Sequence, residues 1–232
     1  MNVLAIDSSN LVMGVAVVNN QKVLGELITN VKKNHSVRLM PAIEQILRDV
    51  DMTPNGLDRI AVAHGPGSYT GVRIGVTIAK TLAWTLNKEL VGVSSLEVLA
   101  QNGRSFNGYV VPFFDARRGQ VYTGLYKSAN GIVKAVEPDK LTMLDMWLTQ
   151  LAKLGEPLLF LSNDLDKHSE MIDKYCGALA CLAELTGHNP RPSELAWLGL
   201  QREPVQDIHL FTPQYLQLAE AEAKWLANRE RS

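Results

Sequence analysis

Cysteine is nearly absent: Cys176 and Cys181 are the two in 232 residues, and both lie in the apolar run Cys176-Gly177-Ala178-Leu179-Ala180-Cys181. Two such thiols cannot staple a secreted mini-domain, and they read as small buried side chains in a reducing cytosol. No stretch approaches the roughly 18 consecutive apolar residues of a membrane span. The start, Met1-Asn2-Val3-Leu4-Ala5-Ile6-Asp7, lacks a basic n-region, so the expectation is a cytoplasmic chain without a leader and without a membrane partner. Charge of one sign is missing too, with 23 Lys+Arg against 24 Asp+Glu. A stand-alone nucleic-acid binder carries a basic excess, so if RNA is involved another chain is expected to supply most of the basic surface.

Metal and hydrolytic signatures are also lacking. His35, His64, His168, His188 and His209 are never three or four residues apart, which removes HExxH and any paired helical ligand site. There is no G-x-S-x-G elbow, and Asp164-Leu165-Asp166-Lys167-His168 reads as a solvated loop or helix start rather than a ligand set.

What the chain does have is a 46% hydrophobic composition and length enough for one large or two small domains. Residues 4–7, 11–18 and 23–28 alternate with the polar breaks Ser8-Ser9-Asn10 and Asn19-Asn20, the pattern of a three-strand meander. Residues 35–50 have helical spacing, with Leu39, Ile43, Ile46 and Val50 on one stripe and Asn34 as N-cap, while Val37, Met40 and Leu47 fall off that stripe. A strand is predicted over 59–63, a helix over about 72–86 after the glycine-rich segment 65–71, a strand over 90–93, and a helix capped by Ser94 or Ser95 to about 100. After a polar, glycine-rich stretch at 103–108 the plan repeats: an apolar strand over 110–114 ending in Asp115, the turn Ala116-Arg117-Arg118-Gly119, and a strand over 120–126. The first hairpin has the same order of strand, Asp7, polar turn and strand, which suggests an internal duplication. Beyond it, helices are expected over 145–154 and 193–202 and a buried strand over 158–161. A last helix is expected from Thr212-Pro213, with the pair Glu220/Lys224 and with Arg229 and Arg231 near its end.

The glycine-rich loop invites a phosphate reading, since N–H groups at a helix start can hold an anion. Its spacing fits neither familiar version. Gly71 is followed by Val72 rather than by the Lys-Ser/Thr of a Walker loop, and Gly65, Gly67 and Gly71 are one residue too widely spaced for a dinucleotide fingerprint. A tight turn needed for packing is the better account. If the two hairpins face each other across a gap, Asp7 and Asp115 become its phosphate-cleft acids, but Arg117 and Arg118 stand where a nucleotide would need glycines, so the cleft is degenerate.

The helix after the loop is apolar nearly all round, and Gly75, Ala79 and Ala83 recur every fourth residue, so it is expected to be covered on more than one face. Leu39, Ile43, Ile46, Ile74, Ile78 and Leu82, with Gly75 and Ala79 permitting close approach, are therefore the candidate partner-binding residues. On that reading an arginine at position 79 should break an interface.

Leu4-Ala5-Ile6-Asp7, His35-Ser36-Val37-Arg38-Leu39-Met40-Pro41, residues 64–75 with their Gly-Pro-Gly-Ser-Tyr-Thr-Gly-Val-Arg block, Gly92-Val93-Ser94-Ser95-Leu96 and residues 115–122 resemble the successive motifs of the TsaB (YeaZ) family, closely over about the first 126 residues. The resemblance implies an α/β actin/Hsp70/sugar-kinase-like (ASKHA) fold: two related βββαβα-type domains, 1–103 plus about 212–232, and 104–211, around a degenerate nucleotide cleft. It further implies a non-catalytic accessory subunit required for threonylcarbamoyl transfer to the adenosine 3′ of the anticodon in tRNAs reading codons that begin with A. The implied partners are a TsaD-type catalytic subunit, met through the two apolar helices, and a TsaE-type ATPase, with a homodimer when alone and tRNA only through the complex. No cofactor is expected on this chain alone, which leaves ATP or ADP for the complex interface. TsaD-like chains carry an HxxxH metal pair where this chain has Ser95 and Leu99, so no metal is carried over. One departure stands out: Pro213-Gln214-Tyr215-Leu216-Gln217 has glutamine where the family tends to have arginine. The residues also leave open a homodimeric scaffold outside tRNA modification, and a weak ATPase or peptidase.

Overall fold

The structure is a computed structural model that describes residues 1–129 and 131–217. The first sheet is built from β1 (Asn2–Asp7), β2 (Val12–Asn19), β3 (Val23–Asn30), β4 (Arg59–Ala63) and β5 (Glu89–Val93) in the order β3-β2-β1-β4-β5. Between them run α1 (His35–Asp49) and α2 (Tyr69–Leu86), and α3 (Ser95–Ala100) follows. The second sheet uses β6 (Tyr109–Asp115), β7 (Gln120–Ala129), β8 (Ile132–Met143), β9 (Leu158–Leu161) and β10 (Ala180–Leu182). Its order, β8-β7-β6-β9-β10, repeats that of the first. The polarity repeats as well: two antiparallel pairings on one side of the leading strand, two parallel ones on the other. The duplication expected from the two strand-Asp-turn-strand units is thus present in full, as two ASKHA-type mixed α/β sheets. Helices α4 (Leu144–Ala152) and α5 (Ser169–Cys176) cover the second sheet.

Local chemistry sets the helix starts. The Asn34 side chain accepts from the Ser36 N–H, Ser68 from Gly71, and Ser94 from Leu96 and Glu97, each satisfying donors that have no partner inside the helix. Asn87 closes α2 in a left-handed conformation with φ 52°.

The central strand β1 is buried on both faces, which is why its sequence is a continuous apolar run. Leu4 and Ile6 point to the core beneath α1 and α2, whereas Val3 and Ala5 point to the opposite core, with Val98 of α3 and Leu195, Ala196 and Leu198 of α6 (Pro192–Leu200). Helix α6 is fixed at both ends. Glu26 on β3 accepts from the Ser193 N–H and hydroxyl at 2.9 and 2.6 Å and from Arg191 at 3.0 Å. Buried Arg59 donates to the carbonyls of Gly199 and Arg202 at 2.7 and 2.9 Å while pairing with Glu89.

The chain therefore returns to the first sheet by Pro192, earlier than the return at 212 read from the sequence. Other differences have simple causes. β8 was not legible because its residues are mostly exposed or half-buried and carry Lys134, Glu137, Asp139 and Lys140, and Pro138 interrupts the run. Thr212 and Pro213 do not start a helix; Gln214 N instead bonds to the His64 carbonyl at 2.7 Å, and Glu220, Lys224, Arg229 and Arg231 lie outside the described residues. Both cysteines are free, Cys176 buried and Cys181 half-buried.

Candidate functional site

Helices α1 and α2 pack together on one face of the first sheet, and their inner stripes are consumed there. Leu39, Ile43, Ile46 and Ala79 are buried in the chain's own core, so they present nothing to a partner. Gly75 is small for an internal reason: a Cβ there would stand 2.7 Å from the Ser8 hydroxyl. The candidate list is corrected accordingly. Ile74, Ile78 and Leu82 remain half-buried along α2, and on α1 Val37 and Met40 are 67% and 43% exposed. The off-stripe residues Val37 and Met40 were the sequence's signal for the outer face, whereas off-stripe Leu47 turns inward.

The two hairpin turns do face each other. A cleft of about 740 Å³ separates Asn10 and Leu11 of the first turn and Pro66–Thr70 of the glycine loop from Asp115–Arg118 of the second turn, with Gln214–Gln217 along its rim. The glycine loop lines this cleft with Pro66–Thr70, but its glycines pack against the first turn. A Cβ on Gly67 would lie 2.1 Å from the Ser9 carbonyl oxygen, and one on Gly71 2.2 Å from that of Ser8, while Ser68 N donates to Ser9 O at 2.6 Å. The glycines let the loop pack against the first turn, whose Ser8 and Ser9 carbonyl oxygens stand where their side chains would be.

The two candidate acids have different fates. Asp115 lines the cleft, accepts from the Arg117 N–H at 3.0 Å, and lies 3.5 Å from Lys167 and 3.7 Å from His168. Asp7 is buried behind Ser8 and Ser9 and does not line the cleft. One of its oxygens accepts from the Ser9 N–H and hydroxyl at 2.9 and 2.8 Å; Oδ2 has no hydrogen-bond partner among the described residues. Burial pushes the Asp7 carboxyl above its ordinary range, against the Ser9 hydrogen bonds and the nearby His35. A raised acid favours the fold while protonated, and that contribution is lost as pH rises through its folded value. Asp7→Asn keeps an oxygen for Ser9 and removes the charge, so its melting temperature at neutral pH should exceed that of the parent, by a margin that shrinks towards acid pH. A lower melting temperature for the variant at neutral pH would contradict the assignment.

Ser95 and Leu99, the positions of the implied metal pair, are both fully buried in α3; Ser95 Oγ accepts from Gly65 N at 3.1 Å and Leu99 packs against the second sheet with Val110, Phe114 and Leu161. The donor set does not fit a metal. Among the described residues no group of three or more His, Cys, Asp or Glu is placed to hold one, and no helix is long and apolar enough to cross a membrane.

A cluster that the sequence reading missed sits at the start of α2. The Arg73 guanidinium stacks 4.0 Å over Tyr69 and donates to the Tyr215 hydroxyl at 2.7 Å, and the rings of Tyr69 and Tyr215 are 5.0 Å apart. Tyr215 arrives on a terminal segment that Lys80 holds through the carbonyls of His209 and Phe211. Gln217, in the place of the family's arginine, accepts from the Tyr122 hydroxyl at 3.3 Å. No periodicity could have joined Tyr69 to Tyr215.

Comparison with known proteins adds sequence and fold relatives. The profile of the family described as TsaD, tRNA N6-adenosine threonylcarbamoyltransferase, matches residues 22–225. The tRNA threonylcarbamoyladenosine biosynthesis protein TsaB of Bacillus subtilis (strain 168) is 53% identical over 230 residues, 99% of this chain and 100% of that one. Its namesake in Escherichia coli (strain K12) is 36% identical over 135 residues, 57% of this chain and 58% of that one. Similarity thus runs through the whole chain in the first comparison and over little more than half in the second. In fold, the chain resembles the solved structure of YeaZ from Pseudomonas aeruginosa, with TM-score 0.77 at 24% identity over 93% of this chain and 99% of that one. It also resembles a protein with similarity to peptidase YeaZ from the same organism, with TM-score 0.79 at 22% identity and the same coverage.

Proposed function

This chain belongs to the TsaB family of tRNA threonylcarbamoyladenosine biosynthesis proteins, and from that membership we propose that it is the non-catalytic subunit of the transferring complex. In this reading it binds and activates a TsaD-type catalytic subunit in the cytoplasm. The complex then transfers the threonylcarbamoyl group to the adenosine 3′ of the anticodon in tRNAs reading codons that begin with A.

The observation that carries the reading is the outer face of α1 and α2. Exposed Val37 and Met40 lie on one helix, and half-buried Ile74, Ile78 and Leu82 follow each other at four-residue steps on its neighbour. Apolar side chains left open in a row on paired helices fit a docked helical partner. Two further features argue against chemistry on this chain: the glycine loop is packed against Ser8 and Ser9, and residues 95 and 99 are serine and leucine inside the core. ATP or ADP accordingly belongs to the interface of the complex, with a TsaE-type ATPase as a further component. The same face would close a homodimer when the chain is alone.

The test is a pair of substitutions on that face that leaves the core alone. Val37 is in the first turn of α1, where a carboxylate suits the helix dipole, and Met40 is exposed, so Val37→Glu with Met40→Glu should keep the parental melting temperature. Two carboxylates desolvated without partners should weaken binding to the TsaD-type subunit about a hundredfold, roughly 2.7 kcal/mol. Titration calorimetry with the purified subunits reads this directly. Unchanged affinity would place the interface elsewhere.

A further inference from the structure

The mouth of the cleft gathers cations and aromatic rings that the accessory role does not use. Arg117 and Arg118 are exposed at the tip of the second turn, both in the left-handed region with φ 68° and 54°. Asp115 fixes that turn through the Arg117 N–H, and Lys167 meets both acids of this wall, Asp115 at 3.5 Å and Asp164 at 2.5 Å. Lys32 and Lys33 are exposed in the loop between β3 and α1, and both ends of that loop are pinned to residues lining the cleft. Asn30 donates to Asn163 at 2.8 Å, and His35 Nε2 lies 2.8 Å from the Asn10 carbonyl. On the glycine-loop side, Tyr69 and Tyr215 are each 40% exposed.

We infer that this mouth is a direct contact site for single-stranded RNA, the anticodon loop of the tRNA substrate. Lys32, Lys33, Arg117 and Arg118 lie along its phosphates, and Tyr69 and Tyr215 stack on unpaired bases. Cations that track a backbone beside exposed rings are the ordinary means of holding a single strand. A free nucleotide fits less well, because the tip of the second turn carries Arg117 and Arg118 where backbone amides reaching a phosphate would need small residues. With a formal net charge of −1 the chain has no basic excess to bind RNA strongly by itself, so the contact acts within the complex. The inference rests on the reading of this chain as a subunit of the tRNA-modifying complex.

The experiment compares complexes assembled from the TsaD-type subunit and the parental chain, Arg117→Gln with Arg118→Gln, or Lys32→Gln with Lys33→Gln. Size-exclusion chromatography reads assembly, which should be unchanged for the Arg117/Arg118 pair because that turn joins β6 to β7 and belongs to neither α1 nor α2; this separates a failure here from a failure of the accessory-subunit reading. Filter binding of a tRNA anticodon stem-loop across a salt series should show each pair weakening binding at least fivefold. The salt slope should flatten by about 1.4 for two lost single-strand phosphate contacts. A duplex of the same stem without the loop should bind all complexes alike. Affinity within twofold of parental with the same slope would overturn the inference. So would equal losses on the duplex, or displacement of the stem-loop by ATP with the same arginine dependence.

Discussion

Ala79→Arg is expected to destabilise the chain strongly, and to do so whether or not any partner is present. Ala79 has no exposed surface and packs between α2 and the first sheet in the core that holds Leu39, Ile43, Val62 and Val76. The core around it is apolar, and an uncompensated buried charge costs on the order of 3–5 kcal/mol. For a chain of this size each kcal/mol moves the melting temperature by about 2–4 °C, so a fall of roughly 6–20 °C is expected in a thermal melt. A variant that melted with the parent but lost its partner would restore position 79 to the interface.

Gly67→Ala should be nearly as damaging through the backbone. The added Cβ would stand 2.1 Å from the Ser9 carbonyl oxygen, an acceptor that Ser68 N already uses at 2.6 Å. Neither atom belongs to a side chain that can swing away, so the loop must lift from the first turn. That displaces Ser68, whose hydroxyl accepts from Gly71 N and starts α2. Overpacking of this kind costs about 1–3 kcal/mol, and backbone against backbone belongs at the upper end. Chemical denaturation would measure it. A loss below about 0.5 kcal/mol, the scale of an ordinary surface change, would mean that the loop is free of the turn and open to a ligand.

These expectations show what was legible in the sequence and where it stopped. The first domain was readable almost element by element because β1, β2 and β4 are apolar runs and two of its helices have the polar caps Asn34 and Ser94; α2 begins at Tyr69 on the unread cap Ser68, three residues before the start expected at about 72. The duplication was readable from Asp7 and Asp115, each ending a strand before a polar turn. The second domain was harder: β10 is three residues long, α5 eight, and β8 is neither alternating nor apolar. The inward turn of Leu39, Ile43, Ile46 and Ala79 went unread for a different reason. Periodicity finds the stripe of a helix that must be covered but does not say what covers it, and in α1 the strongest stripe, Leu39, Ile43 and Ile46, belongs to the chain's own sheet. The smaller residues Gly75 and Ala79 carry the same ambiguity, since space for a neighbouring helix and space for the underlying sheet look alike in sequence. Asp7 and Asp115 hold matching positions in the two sheets yet end in different surroundings, one buried with an unpaired oxygen and the other salt-bridged at the cleft.

The placement of α6 on the first sheet has a consequence for synthesis on the ribosome. Val3, Ala5, Ala16 and Val18 are made at the start of translation, but Leu195, Ala196 and Leu198, which cover that side of the sheet, are joined to the chain about 180 residues later. At about 5–20 residues per second the nascent sheet waits roughly 10–40 s with one apolar side unclosed. The first domain becomes a finished unit only when the second has already been made.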